Sequence, residues 1–268
     1  MPKKRNNNRY LQLIEALFLR HYHDGDNEVA FSREELVELA KELGIERPKN
    51  LGDITYSFRY RTNLPSTITE KAPEGKYWVI RASGRGQYRF SLVTQPRITP
   101  SLNLLEIKIL DSTPGVITKY SFDDEQALLA KLRYNRLIDI FTGLTCYSLQ
   151  NHLRTTVTYM GQVETDEIYI GIDKRGAHYV LPVQAKGGSD QIGVVQIEQD
   201  IALCAEKFPS LICRSIASQF INKDLIALFE FELSSEGIKV VEEKHYRLVQ
   251  PEDLTQEELE SYRNRAIH

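Results

Sequence analysis

The amino-acid sequence predicts an α/β (α+β) protein in which a small helical part precedes a mixed β-sheet flanked by helices. Some segments repeat apolar residues at helical spacing and others alternate apolar with polar residues, so both helices and strands are expected. Between the two parts, residues 94–101 (TQPRITPS) contain two prolines, which neither a helix nor a central strand accommodates. We therefore place a domain boundary here and expect domains at residues 1–97 and 98–268.

The charge of the 268-residue chain is distributed unevenly between these parts. Residues 1–97 carry 17 Lys and Arg against 12 Asp and Glu, whereas residues 98–268 carry 17 against 25. The excess is sharpest in residues 47–97, which hold 10 basic and three acidic side chains. A local basic surface on an otherwise acidic protein is typical of a DNA-binding module. A solvated basic face without a partner is the alternative.

Several protein classes are disfavoured by what the sequence lacks. No apolar run approaches the roughly 20 residues that cross a bilayer, and the N-terminus lacks the apolar region of a signal peptide. The 3 cysteines are widely spaced and indicate neither a disulfide framework nor a zinc site. A Ser-His-Asp set, a phosphate-binding loop and a dinucleotide fingerprint are not evident. We expect a cytoplasmic protein without a membrane partner.

Three helices are expected in the N-terminal part. Apolar residues at helical spacing predict the first over about residues 9–23. The pattern Ser32-x-x-Glu35 is a capping box that begins a second helix, and Gly44 ends it. Pro48 suits the start of the third helix.

The third helix and the hairpin after it provide candidate DNA contacts. Leu51, Ile54 and Phe58 form the inward stripe of this helix. The side chains left to face outward are Lys49, Asn50, Tyr56, Arg59 and Arg61. Residues 76–93 alternate as a hairpin does, with its tip at residues 83–86. Three helices and a basic hairpin follow the order of a winged helix, whose third helix enters the major groove while the wing meets backbone or minor groove. The candidate wing residues are Arg81, Arg85 and Arg89. Winged helices also mediate protein contacts, which is the alternative.

The C-terminal part shows a readable order of elements. After a strand and turn within residues 104–122, residues 123–153 predict one long helix, with acidic residues at its N-terminal end. A second helix is expected at residues 194–208 and a surface helix in the tail. The expected strands lie at residues 154–161, 167–173, 178–186, 211–221, 225–233 and 239–249. The resulting order is α-β-β-β-α-β with extra strands, which indicates a mixed sheet between helices.

The strand at residues 178–186 ends by presenting an amide and an ammonium. Gln184 and Lys186 point to one face because side chains alternate along a strand. If a three-residue loop with glycine in the left-handed conformation joins this strand to the preceding one, Asp166 lies opposite Gln184 and Glu164 opposite Lys186. With a two-residue loop the register shifts by one, and Glu167 takes the place of Asp166. Either register brings an acid to the patch that Gln184 and Lys186 form on this sheet face.

Such a patch has a use in phosphodiester cleavage. Oxygen ligands from an acid and an amide can hold Mg²⁺, which keeps several waters and binds phosphate oxygens. A neighbouring lysine can orient or activate the attacking water and offset developing negative charge.

The element order, Asp166 and the sequence VQAK at residues 183–186 resemble the PD-(D/E)XK nuclease superfamily in its Gln-x-Lys variant, as in Mrr-type restriction nucleases. The resemblance covers roughly residues 123–233. It implies a restriction-endonuclease-like sheet and Mg²⁺ as cofactor. By this resemblance Asp166 is the metal-binding acid, Gln184 replaces the usual second acid and also binds the metal, and Lys186 is the catalytic lysine.

The sequence departs from the motif of that superfamily in two ways. Thr165 stands where a proline often precedes the acid, and glutamine is a weaker metal ligand than a carboxylate. The second departure leaves room for an additional acid, for which the candidates are Glu164, Glu167 and, from the long helix, Glu125.

The expected function is a Mg²⁺-dependent, sequence-specific endonuclease that cuts double-stranded DNA, of restriction (type II-like) or phage-defence type. Cutting both strands usually needs two active sites, so a homodimer is expected, and a companion methyltransferase acting on the same site would fit. One alternative is a DNA-binding regulator with an inactive nuclease-like domain, in which Asp166 and Lys186 form a plain cross-strand ion pair. The other is a structure-specific repair or recombination nuclease.

Overall fold

The structure is a computed structural model that describes residues 3–46, 50–120, 125–187 and 190–265. It is a mixed α/β structure. The helices are α1 Lys3–His21, α2 Arg33–Glu42, α3 Gly52–Tyr60, α4 Ser66–Thr69, α5 Gly115–Tyr120, α6 Glu125–Tyr134, α7 Leu137–Thr142, α8 Val194–Lys207 and α9 Gln256–Arg263, with a 3₁₀ turn at Pro251–Asp253. The strands are β1 Glu28–Ser32, β2 Tyr77–Gly84, β3 Gln87–Val93, β4 Arg97–Ile98, β5 Glu106–Leu110, β6 Thr145–Val157, β7 Gly161–Ile172, β8 His178–Lys186, β9 Ile192–Gly193, β10 Ile212–Cys213, β11 Ser215–Phe220, β12 Leu225–Ser234 and β13 Gly237–Val249.

The chain divides into two compact units. The first unit consists of Met1–Ile98, Arg154–Glu164 and Gly193–Glu206. The second consists of Thr99–Leu153, Thr165–Ile192 and Lys207–His268. The first unit therefore takes in two later segments of the chain, one around the β6–β7 turn and one that holds most of α8.

The first unit packs helices α1 to α4 with an antiparallel sheet of order β1-β3-β2. Its core is formed by apolar side chains of these elements, among them Leu17 and Phe18 of α1, Phe58 of α3 and Phe90 of β3. The predicted capping box at the start of α2 is confirmed, and so is the hairpin β2–β3. Helix α1 begins at Lys3, earlier than the sequence predicts. The prediction began later because the first residues of this helix are polar and show no apolar period.

The second unit contains most of a mixed sheet of order β5-β13-β12-β11-β8-β7-β6, with β10 beside β8. The pairs β8–β11, β8–β10 and β5–β13 are parallel, whereas β7–β8, β11–β12 and β12–β13 are antiparallel. Leucines of α6 and α7 pack on Leu181, Val183 and Ala185 of β8. The expected mixed sheet flanked by helices is confirmed.

The single long helix predicted over residues 123–153 is wrong. Helix α6 ends at Tyr134, the short α7 follows, and the chain then enters β6 at Thr145. Gly143 ends α7 in the left-handed conformation, with φ of 69°, which glycine adopts without steric cost. The β-branched residues at the far end of β6 favour a strand over a helix. Asp123 and Asp124, predicted at the N-terminal end of the long helix, lie outside the described residues.

Within the described part of the chain, no helix combines the length and apolar character that crossing a membrane requires.

Candidate active site

The turn between β7 and β8 sets which residues meet across the two strands. The N–H of Asp173 donates to the carbonyl of Ala177 at 3.1 Å, and Gly176 adopts a left-handed φ of 83°. The ladder then runs from Ile172 opposite His178 to Glu167 opposite Val183. This is the register of the three-residue loop, which is therefore confirmed. The two-residue alternative, in which Glu167 replaces Asp166, is wrong.

Lys186 ends β8 between two carboxylates. Its Nζ donates to Oε1 of Glu125 at 3.1 Å and lies 3.9 Å from Oδ2 of Asp166. The same Oδ2 accepts a hydrogen bond from the main-chain N–H of Ala185 at 2.9 Å. Lys186 is only 7% exposed, so these acids compensate a largely buried charge. The sequence offered three candidates for an additional acid, and Glu125, the first residue of α6, is the one seen to contact Lys186.

Gln184 belongs to the same end of β8. It is almost completely buried, at 1% exposure. Continuing the observed ladder by one residue pair puts Gln184 opposite Asp166, and alternation puts both side chains on the sheet face that Lys186 also shares. A carboxylate, an amide and an ammonium therefore converge here.

The two other predicted acids have different surroundings. Glu164 belongs to the first compact unit and forms an ion pair with Arg154, whose Nη2 lies 2.8 Å from Oε2 of Glu164. Glu167 is fully buried on the opposite sheet face from Asp166. It accepts a hydrogen bond from the Ser148 hydroxyl, and its Oε1 lies 3.5 Å from Nε of Arg133. Burial raises the pKa of the Glu167 carboxyl.

Gln219 is a member of this surface that sequence analysis missed. Strand β11 runs parallel to β8, with Gln219 beside Lys186 and Ala217 beside Gln184. The Gln219 amide is buried and its Nε2 donates to the carbonyl of Asp190 at 3.0 Å. Its Oε1 is buried and has no hydrogen-bond partner among the described residues. Only the pairing of distant strands reveals this position, because nothing in the local sequence marks it.

A second set of candidate residues lies on and beside α3 in the first unit. Lys49 lies outside the described residues. Asn50, Tyr56 and Arg61 are exposed, and the Arg61 guanidinium lies 5.0 Å from the centre of the Tyr56 ring. Arg59 is partly buried, with its guanidinium 4.8 Å from the Tyr60 ring centre. The outward residues thus include an exposed aromatic and basic pair.

The three hairpin arginines differ in their partners. Nε and Nη2 of Arg81 bind the carboxylate of Glu198 on α8 at 2.8 and 2.6 Å. Arg89 lies 3.4 Å from Glu28. Arg85, at the exposed tip of the hairpin, has no ion-pair partner in the described ranges. Arg85 is therefore the hairpin arginine most available for a ligand.

Among the residues that the structure describes, no three His, Cys, Asp or Glu side chains group closely enough to hold a metal ion by themselves. The surface at the end of β8 instead offers two carboxylates and two amides around one lysine.

No protein-family model, curated protein or solved structure matches the chain.

Proposed function

We propose that the protein is a Mg²⁺-dependent endonuclease that cuts double-stranded DNA, with a PD-(D/E)XK-type active site in its Gln-x-Lys variant. The observation that carries this proposal is the position of the Lys186 ammonium, 3.1 Å from Glu125 and 3.9 Å from Asp166 at the end of β8.

The donor set at this site fits Mg²⁺. Magnesium prefers oxygen ligands, keeps several waters and is usually bound through one or two carboxylates plus substrate phosphate. Asp166 and Glu125 supply carboxylates, and Gln184 and Gln219 supply amides, one of which has a buried oxygen without a partner among the described residues. Asp166, Gln184 and Glu125 would hold the ion, with Gln219 as a further oxygen donor. When bound, Mg²⁺ neutralises phosphate charge and lowers the pKa of a coordinated water.

The side chains of the chain itself have distinct roles. Lys186 orients the attacking water and places a positive charge beside the phosphorane-like transition state. Because Lys186 is largely buried and held by two acids, its position is fixed before substrate arrives. The N–H of Ala185 holds Asp166 in its orientation by a 2.9 Å hydrogen bond.

The N-terminal part would bind the duplex as a winged helix. Helix α3 would enter the major groove with Asn50, Tyr56 and Arg61, and the β2–β3 hairpin would contact the backbone with Arg85. The basic excess of residues 47–97 supports this assignment. A sequence-specific restriction or phage-defence role follows most directly, since a separate reader module suits recognition of a defined site.

The test is cleavage of plasmid and phage DNA, unmodified and modified, by the wild type and Lys186→Ala, with Mg²⁺ and with EDTA. We expect discrete fragments with wild type and Mg²⁺, and at least about a hundredfold lower rate for Lys186→Ala. The matched control is Lys174→Ala, which removes an exposed lysine at the opposite end of the same hairpin and retains activity.

Each outcome of this experiment decides between functions. Salt-sensitive duplex binding without any cleavage would replace the proposal with a DNA-binding regulator that carries an inactive nuclease-like domain. Cleavage of junctions or flaps in preference to intact duplex would replace it with a repair nuclease.

A further inference from the structure

The main sheet ends in two edge strands, β5 and β6. An edge strand exposes a row of unpaired N–H and C=O groups, which can pair with another chain. Natural proteins protect such edges with short strands, charged residues, proline or a covering segment.

The β5 edge is protected in several of these ways. It has five residues, and two of them, Glu106 and Lys108, are charged. The main-chain N–H of Lys108 donates to the hydroxyl of Tyr262 at 2.9 Å, so α9 occupies part of this edge. The Lys108 ammonium also lies 2.7 Å from Glu258 of α9.

Over residues 147–151 the β6 edge has no charged residue and no proline. Just outside this stretch, the main-chain N–H of Cys146 donates to Oδ1 of Asp139 at 2.9 Å, and His152 has a left-handed φ of 47°, which interrupts regular strand pairing. The strand has 13 residues, and residues 145–153 (TCYSLQNHL) contain no Asp, Glu, Lys, Arg or Pro. Most of these side chains are exposed, including Tyr147 at 57% and Leu149 at 55%. An uncharged edge with exposed apolar side chains favours strand pairing with another chain.

We propose that residues 147–151 are a dimer interface, where β6 of one protomer pairs antiparallel with β6 of a second copy about a two-fold axis at Leu149. An axis at this position maps the uncharged stretch onto itself. Leu149 then faces Leu149 of the second copy, and Tyr147 faces Asn151. Arg154, the first charged residue of β6, stays outside the paired stretch.

A second copy fits this edge because the pairing is self-complementary. Antiparallel pairing about a two-fold axis places the same residues on both sides, so any charged residue at the centre would face its own copy. The stretch has no such residue. The link to double-strand cutting rests on the proposed nuclease function, since two active sites are then needed. The interface itself does not depend on that function.

The first test measures the mass of the full chain against concentration by sedimentation velocity. We expect a dimer for wild type, and for Leu149→Lys a dissociation constant at least about tenfold higher, because two lysines would face each other. The control is Leu233→Lys, the same substitution at an equally exposed leucine (56%) of interior strand β12. A monomeric wild type, or equal dimerisation of Leu149→Lys and wild type, would overturn the interface.

The second test checks the register by mild oxidation of Leu149→Cys. Facing residues of an antiparallel pair have Cα atoms about 4.5 to 5.5 Å apart, within disulfide range. We expect a cross-linked dimer for Leu149→Cys and none for Gln150→Cys or for wild type with its native cysteines. Cross-linking of Gln150→Cys but not of Leu149→Cys would overturn the axis at Leu149.

These tests separate the interface from the activity. A dimer that cuts no DNA retains the interface and refutes the nuclease, whereas a monomer that cuts DNA retains the nuclease and refutes the interface.

Discussion

The buried side chain of Lys186 shows that a charged residue needs opposite charges nearby when it is removed from water. Moving an ammonium out of water costs several kcal/mol per ion unless opposite charges accompany it. Glu125 and Asp166, which belong to elements far apart in sequence, supply these opposite charges. A lysine held this way cannot move freely, which suits a residue that must position water.

The buried carboxyl of Glu167 leads to a testable prediction, also at the scale of a single residue. Burial raises the pKa of its carboxyl in the folded state above the unfolded value. The folded state therefore binds this proton more strongly, and the stability that Glu167 contributes is present below its unfolded pKa and is lost as pH rises through the folded pKa. Glu167→Gln removes this loss, so the variant should gain stability relative to wild type as pH rises.

The measurement is urea unfolding of both proteins across about pH 4 to 8. The difference in unfolding free energy between variant and wild type should grow with pH. A difference that stays constant over this range would contradict a raised pKa at Glu167.

At the scale of elements, α8 contacts both α3 and the β2–β3 hairpin within the first unit. Glu198 binds Arg81 of β2, and Gln199 accepts a hydrogen bond from the Tyr60 hydroxyl of α3 at 2.8 Å. Helix α8 thus helps to fix the helix and the hairpin that would contact DNA. Arg81, one of the three predicted wing residues, is therefore held by Glu198.

The two hairpin arginines should therefore respond differently to substitution. Arg85→Ala should lower the slope of log affinity against log salt by about 0.9, as expected for the loss of one phosphate contact, with unchanged unfolding. Arg81→Ala should lower the free energy of unfolding by about 1 to 3 kcal/mol, because Glu198 loses two charged hydrogen bonds.

Salt titrations of duplex binding and urea unfolding of both variants measure these effects. Loss of stability in Arg85→Ala, or an unchanged salt slope in that variant, would contradict the assignment of the hairpin tip to DNA.

At the scale of the whole molecule, Mg²⁺ should stabilise the folded protein. An ion that binds only the folded state adds RT ln(1 + [L]/Kd), about 1.4 kcal/mol at tenfold excess over the dissociation constant. The midpoint of thermal unfolding of wild type should rise with Mg²⁺, and Asp166→Asn should lose most of that rise.

Glu252→Gln, which removes an exposed carboxylate in the 3₁₀ turn, is the control and should keep the rise. An equal rise with NaCl at matched ionic strength, or in Asp166→Asn, would show that the site at the end of β8 does not bind the ion.

Local patterns were sufficient for much of the fold and part of the site. The capping box at Ser32 and the β2–β3 and β7–β8 hairpins follow from signals within a few residues. The sequence left two registers of β7 and β8 open. The observed three-residue turn, with Gly176 in the left-handed conformation, selects the register that places Asp166 opposite Gln184.

Local sequence patterns predicted the wrong secondary structure where pairing with another strand determines it. Residues 145–153 have an ambiguous pattern when taken alone, and pairing with β7 makes them a strand.

The sequence by itself determined that Gln184 and Lys186 share one face and that either turn length brings an acid to that face, because side-chain direction alternates along neighbouring strands. Only the tertiary structure decided that Glu125 and Gln219 join them and that Glu167 lies on the opposite face. It also decided that Arg81 binds Glu198. The physical reason is that these contacts join residues far apart in the chain, and no local pattern specifies which distant elements pack together.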